Sequence, residues 1–406
     1  MKKTMFVTVL VLLIIPGLLC AQREKVKTLT GISYEDGSSI SVSIEEGIIA
    51  NIEILKDSKP SSQIYIAPGL IDLQINGYMG VDFGNPDITI KEIRTATQAL
   101  WKEGITTFLP TVITNSHEAL MKCFMALAST LDDPEIGPSI PGFHLEGPYV
   151  SPVQGFRGAH LEKYIRPANL SEFKEYQKLA KGGIKLLTLA PETEGSISLI
   201  EHCKENNVIV SLGHHNGSSE EIKEAIDAGA SLSTHLGNGC ANMINRHYNP
   251  LWPQLADDRL TISIISDGFH LTKEELQTFY KVKGDQRTIL VSDALDLAGL
   301  TPGEYIRGER KVLLTPNVVK FPEENVLAGA ASSLRQCVGN IIRFTHCSLK
   351  SAITMASSTP AKLMGFNNIG EIGEGKRADL ILFTIENGEI IIQKTIVAGR
   401  VVYAKE

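Results

Sequence analysis

Residues 185–235 read KLLTLAPETEGSISLIEHCKENNVIVSLGHHNGSSEEIKEAIDAGASLSTH. Three short apolar runs (185–190, 208–213 and 231–235) alternate with two segments of helical spacing (196–206 and 218–228). Strand, helix, strand, helix, strand in 51 residues is the grammar of a parallel sheet covered by helices. Working outward, apolar runs of the same kind recur at 70–75, 105–110, 142–146, 261–267 and 288–293, and helical spacing at 90–103, 170–180 and 273–280. Eight such runs predict a (β/α)8 barrel rather than an open doubly wound sheet. No GxGxxG follows the first run and no GxxxxGK[ST] occurs, so nucleotide cradling has no support.

The flanks differ. Residues 25–56 and 378–402 alternate β-branched and polar residues between turn signals, as antiparallel strands do. Short hairpins are marginal alone, so the two ends are expected to pair into one small β-sandwich domain. The expected division is 1–21 signal peptide, 22–66 and 375–406 as the halves of the small β domain, and 67–374 as the catalytic barrel. The first 21 residues carry Lys2 and Lys3, an apolar run from Met5 to Ile15, Pro16-Gly17 and a small residue at Ala21. That is the layout of a secretory leader, which predicts export to the periplasm or cell envelope and no membrane span after cleavage. Leu19 stands where a lipidation site at Cys20 wants a small residue.

The 406 residues carry 39 Lys+Arg and 46 Asp+Glu, a net charge of −7. A 43% hydrophobic and 21% charged composition excludes a disordered chain. The acidic balance gives no footprint for nucleic acid, which needs a basic face. Cys123, Cys203, Cys240, Cys337 and Cys347 are odd in number and contain no CxxC, so no disulfide framework is expected.

Barrel chemistry sits where strands end. Those ends read Asp72-Leu73-Gln74-Ile75-Asn76, His144-Leu145-Glu146, Gly213-His214-His215, Thr234-His235-Leu236-Gly237-Asn238, Asp267-Gly268-Phe269-His270 and Ser292-Asp293. A carboxylate and imidazoles on separate strands of one cylinder converge on its axis, and that donor set suits Zn2+ with an open position. A nearby carboxylate can move the protons that hydrolysis requires. Spacing alone leaves amides, esters and phosphate esters open as substrates. His144 is either a partner of the ligands or a satisfied core histidine, and Asp72 either reaches the site or anchors the core. Asp267 is expected to orient the loop of His270, His215 to be structural, and His117, His202 and His346 to be surface or packing residues without partners.

The ordered motifs APGLIDLQING, GFHLEGPY, SLGHHNGS, STHLGN, DGFH, VSDA, LAG and GEGKRADLILF make the chain, from Ala67 onward, resemble the N-acetylglucosamine-6-phosphate deacetylase family of the amidohydrolase superfamily. The resemblance implies Glu146, His214 and His235 as ligands of one divalent metal ion, Zn2+, with Asp293 as general base and acid. It implies that His160 polarises the acetyl carbonyl and that Ala159, Asn238, Gly239 and His270 hold the sugar phosphate. Leu327, Ala328 and Gly329 would close the acetyl side, and Arg246 would reach phosphate across a homodimer interface. Gln74 and Asn76 stand where many members of the superfamily carry His-x-His; amides are poor zinc ligands, so a single metal is expected. The loop 240–252 departs from the family in carrying Tyr248 and Trp252, which suit stacking on sugar faces. Two other readings remain open at this point: hydrolysis of another N-acyl or cyclic amide, and an exported, non-catalytic sugar-binding barrel.

Overall fold

In the computed structural model, which describes residues 26–56, 63–307, 310–315, 318–322 and 326–406, eight strands pair side by side in chain order. They are Leu70–Ile75, Ile105–Ile113, Phe143–Glu146, Ile184–Leu189, Ile209–Leu212, Leu232–Ser233, Thr261–Ile264 and Thr288–Leu290, and every neighbouring pair is parallel. The first and eighth strands meet through their extensions. Asn76 N donates to Ala294 O and Asp293 N to Gln74 O, both at 2.9 Å. The predicted cylinder is therefore present, and its seam runs between Gln74 and Asp293.

The helices form where the spacing placed them, at Ile90–Lys102, Leu170–Leu179, Ser196–Glu205, Ser219–Ala228 and Lys273–Lys283. Three of these start on reciprocal capping boxes, Thr89 with Glu92, Ser218 with Glu221 and Thr272 with Glu275, which satisfy backbone donors the first turn would otherwise orphan. Their buried faces, such as Ile93, Leu100 and Trp101, join one apolar cluster with the outward strand residues Leu187, Leu189 and Val210.

The small domain is one continuous sheet of seven strands drawn from both chain ends, with Tyr65–Pro68 joining the N-terminal arm to the C-terminal one. It curls so that the arms touch: Val26 N donates to Gly399 O and Ala378 N to Gly47 O. Val42, Ile49, Ile66, Leu380 and Ile396 fill the space between. The leader expected at 1–21 lies outside the described residues.

An element absent from the sequence reading follows the eighth barrel strand. Gly303–Arg307, Arg310–Leu314, Val318–Phe321 and Val326–Ala330 form a four-stranded antiparallel flap. All five cysteines of the described residues are unpaired thiols, as expected.

Candidate metal and active site

Glu146 closes the third barrel strand, while His214 and His235 stand two residues past the fifth and sixth. Their donor atoms converge. Glu146 Oε1 lies 3.3 Å from His214 Nε2 and 3.2 Å from His235 Nε2, and the two imidazole nitrogens are 3.0 Å apart. All three side chains are buried. A tetrahedral ion with bonds of about 2.1 Å places its ligands about 3.4 Å apart, close to this spacing. His214 Nδ1 faces Phe156 O at 3.1 Å; a carbonyl only accepts, so this nitrogen carries a proton, and Nε2 is the nitrogen turned toward Glu146. Burial works against a charge on Glu146, but the two imidazoles outweigh it and hold the carboxyl well below its ordinary range. A carboxylate oxygen and two imidazole nitrogens this close together fit a divalent cation.

Backbone geometry explains how these side chains turn inward. His214, His235 and Asp293 have φ of +52°, +29° and +48°. Any residue with a Cβ pays to enter that left-handed region, so each position stores local strain, on the order of 1–3 kcal/mol. Gly158 and Gly239 flank the His214 ring so closely that an added Cβ would lie 2.7 Å from it. Glycine at both places lets the two loops grip the imidazole.

Asp293, three residues past the eighth strand, is held by the amides of the first. Asn76 Nδ2 donates to Asp293 Oδ1 at 2.7 Å, and Gln74 Nε2 to the same oxygen at 3.3 Å and to Glu146 Oε1 at 3.0 Å. Burial, then the Glu146 charge, pushes the Asp293 carboxyl up. Gln74 thus ties Asp293 to Glu146 and Asn76 steadies Asp293, roles that the sequence left unassigned at the positions replacing His-x-His.

His160 is buried on the loop after the third strand, its ring centroid 4.2 Å from that of His214. Thr114 Oγ1 lies 2.6 Å from its Nδ1, and Thr114 also escaped the sequence reading. Burial and His214 push the His160 pKa down to about 3, which keeps the ring neutral at pH 7. His270 is oriented by Asp267, whose Oδ2 is 2.7 Å from Nδ1 and whose Oδ1 accepts from the His270 and Phe269 backbones.

Asn238 donates back to His235 O, and Gly239 lies against His214, so both border the histidine cluster. Ala159 packs against the apolar cluster of the flap that contains Ala328, with Leu327 and Gly329 on the same strand. Arg246 is not brought into this group. It lies on an exposed loop with Met243 and Tyr248, 90% and 85% accessible, its own carbonyl accepting from Trp252 Nε1.

Three histidine readings resolve. His144 is a satisfied core residue, its Nε2 2.8 Å from Thr188 Oγ1 and its Nδ1 3.3 Å from Thr111 Oγ1. His215 is buried and accepts from Gly217 N, a structural role. The expectation that His117 lacks partners is overturned: its ring nitrogens approach Tyr176 Oη (2.9 Å), Glu172 (3.2 Å) and Glu175 (3.3 Å), because the neighbouring helix presents them. Asp72 is the anchor rather than a site residue. Its Oδ1 accepts from Gln74 N and Ser292 N across the seam, and burial raises its pKa to about 7.

A barrel with a carboxylate–imidazole–imidazole cluster and a second acid beside it defines a hydrolase scaffold of the metal-dependent kind. Comparison with known proteins agrees: the amidohydrolase family profile matches residues 65–402. The N-acetylglucosamine-6-phosphate deacetylase of Bacillus subtilis (strain 168) is 30% identical over 373 residues, 89% of this chain and 92% of that protein. The N-acetylgalactosamine-6-phosphate deacetylase of Escherichia coli O157:H7 is 29% identical, covering 83% of this chain and 89% of the other. The crystal structure of the N-acetylglucosamine-6-phosphate deacetylase of Thermotoga maritima superposes with a TM-score of 0.83 at 30% identity, covering 94% of this chain and all of that one. The chain belongs to the amidohydrolase family, in the branch of the N-acetylglucosamine-6-phosphate deacetylases.

Proposed function

We propose that this protein hydrolyses the N-acetyl group of N-acetylglucosamine 6-phosphate, or of a close N-acetyl amino sugar, releasing acetate and the free amino sugar. The observation that carries this reading is the convergence of Glu146, His214 and His235 with Asp293 tied to the same cluster through Gln74. The donor set, one oxygen and two imidazole nitrogens, favours one Zn2+. Bound there, the ion would supply Lewis acidity toward the acetyl carbonyl and acidify water beside it.

The rest is work for the chain's own side chains. Asn76 and Gln74 hold Asp293 Oδ1, leaving Oδ2 to take a proton from the attacking water and pass it to the departing amine. With the Thr114 hydroxyl proton directed to His160 Nδ1, 2.6 Å from Oγ1, the proton of the neutral imidazole sits on Nε2. That leaves Nε2–H of His160 to donate to the carbonyl oxygen as negative charge develops there. Asn238, Gly239 and His270 border the sugar, and Arg246 meets the phosphate from a partner subunit of a homodimer. The leader at 1–21 exports the chain.

The deciding experiment is acetate release by the zinc-loaded mature protein from N-acetylglucosamine and from its 6-phosphate. Turnover of either supports deacylation; turnover of neither, with zinc bound, rejects it. N-terminal sequencing of the secreted fraction checks export, and light scattering of the purified protein checks the dimer.

A further inference from the structure

The flap is fastened to the barrel at two places. One is backbone: Ala330 N donates to Asp293 O at 3.2 Å and Leu295 N to Ala330 O at 3.1 Å, so the last flap strand runs beside the base. The other is ionic. Arg307, which ends the first flap strand, sends Nε to Asp296 Oδ1 at 2.6 Å and Nη2 to Asp82 Oδ2 at 3.3 Å. Asp296 lies three residues beyond Asp293, and Asp82 lies in the short hairpin after the first barrel strand. One guanidinium therefore joins the flap to the loops on both sides of the barrel seam.

Between these fastenings the flap's apolar face, including Val312, Val319 and Ala328, packs on Leu295 and Ala159. Leu295 is two residues from Asp293 and Ala159 is next to His160. The flap thus bridges the loop of Asp293 and the loop of His160, and under the deacylation reading it is the wall that an acyl chain longer than acetyl would meet. All three side chains of the ion cluster are less than a third exposed, so the guanidinium is not an ornament of the surface. Without it, Asp82 and Asp296 would confront each other with no cation between them, and the flap would lose its hold on the hairpin.

We propose that Arg307 is a positioning residue whose grip on Asp82 and Asp296 sets how far the flap closes over the reacting centre, and so limits the size of acyl group the enzyme accepts. The proposal rests on the deacylation reading above. Lysine is a point charge without the planar fork and does not replace it at a site that spans two carboxylates.

The test is steady-state hydrolysis by the zinc-loaded enzyme of the N-acetyl, N-propionyl and N-butyryl derivatives of glucosamine 6-phosphate. Wild type, Arg307→Met, Arg307→Lys and Asp296→Asn are compared, with thermal melting in parallel. Arg307→Met is expected to lose at least tenfold in kcat/KM on the acetyl substrate while keeping or gaining on the butyryl one. The acetyl-to-butyryl ratio then falls at least tenfold, with zinc content unchanged. Arg307→Lys and Asp296→Asn are expected to move the ratio in the same direction by less. An equal loss on all three substrates, or an unchanged ratio, overturns the proposal. If Arg307→Met does not fold, Asp296→Asn decides alone, since it keeps the contact to Asp82. A wild-type enzyme inert on every derivative overturns the deacylation reading itself, a different outcome from an unmoved ratio.

Discussion

The strand ends of the barrel and the loop 240–248 face the same mouth and are built on opposite terms. Glu146, His214, His160 and Asp293 are each fixed by a named partner on a distant strand or loop, and the first three, with His235 beside Glu146, are buried below a tenth of their surface. The loop exposes Met243, Tyr248 and Arg246 and is organised mainly from within, by Asn245 accepting from the His247 and Tyr248 backbones. Groups that make and break bonds are preorganised by the scaffold, where reorganisation at the moment of reaction would be costly. Groups that recognise the far end of a substrate can sit on a segment free to vary.

The contrast breaks most sharply at the base. Asp293→Asn keeps the shape but cannot take a proton, and turnover is expected to fall about 100- to 10,000-fold; elemental analysis should show the metal retained. Equal turnover in that variant rejects the assignment. Thr114→Val removes the hydroxyl 2.6 Å from His160 Nδ1, and kcat should drop about tenfold to a hundredfold with KM nearly constant. A KM effect instead would place Thr114 in substrate binding. At the loop, Arg246→Ala should raise KM about tenfold, a change of about 1.4 kcal/mol, for phosphorylated substrates only. If phosphorylated and free sugars suffer alike, the loop does not read phosphate.

An effect on stability rather than turnover tests the seam beneath both regions. The Asp72 carboxyl is raised to about 7 by burial from an ordinary value of 3.8, so the folded state holds its proton more tightly than the unfolded one. Its stabilising contribution is full below pH 3.8 and is lost as pH rises toward 7. Asp72→Asn keeps the acceptor for Gln74 N and Ser292 N but has no charge to bury. Between pH 5 and pH 8 its stability should therefore gain on wild type by about 2–3 kcal/mol. Melting curves at the two pH values check this, and parallel shifts would show that Asp72 is ionised throughout.

The cylinder was legible in the sequence because each strand is a short apolar run bounded by polar residues, a pattern that survives without knowledge of any neighbour. The strand ends also showed where acidic and imidazole side chains would converge, whereas it was the resemblance to the deacetylase family that singled out Glu146, His214 and His235 among them. What escaped depends on contacts remote in the chain. Gln74 and Asn76 find Asp293 219 and 217 residues away, Thr114 finds His160 46 residues on, and His117 meets Tyr176 59 residues on. The flap was missed because only one of its faces is covered. Val312 and Leu314 are buried, but Glu304, Ile306 and Lys311 face outward and dilute the alternation.

The twisted backbone at His214, His235 and Asp293 has a consequence for how such a protein evolves or is engineered. Glycine at any of the three would relax the backbone, yet it would leave buried partners such as Phe156 O and Asn76 Nδ2 without the group they meet, and it would silence the enzyme. Backbone ease and catalysis therefore pull these three codons in opposite directions.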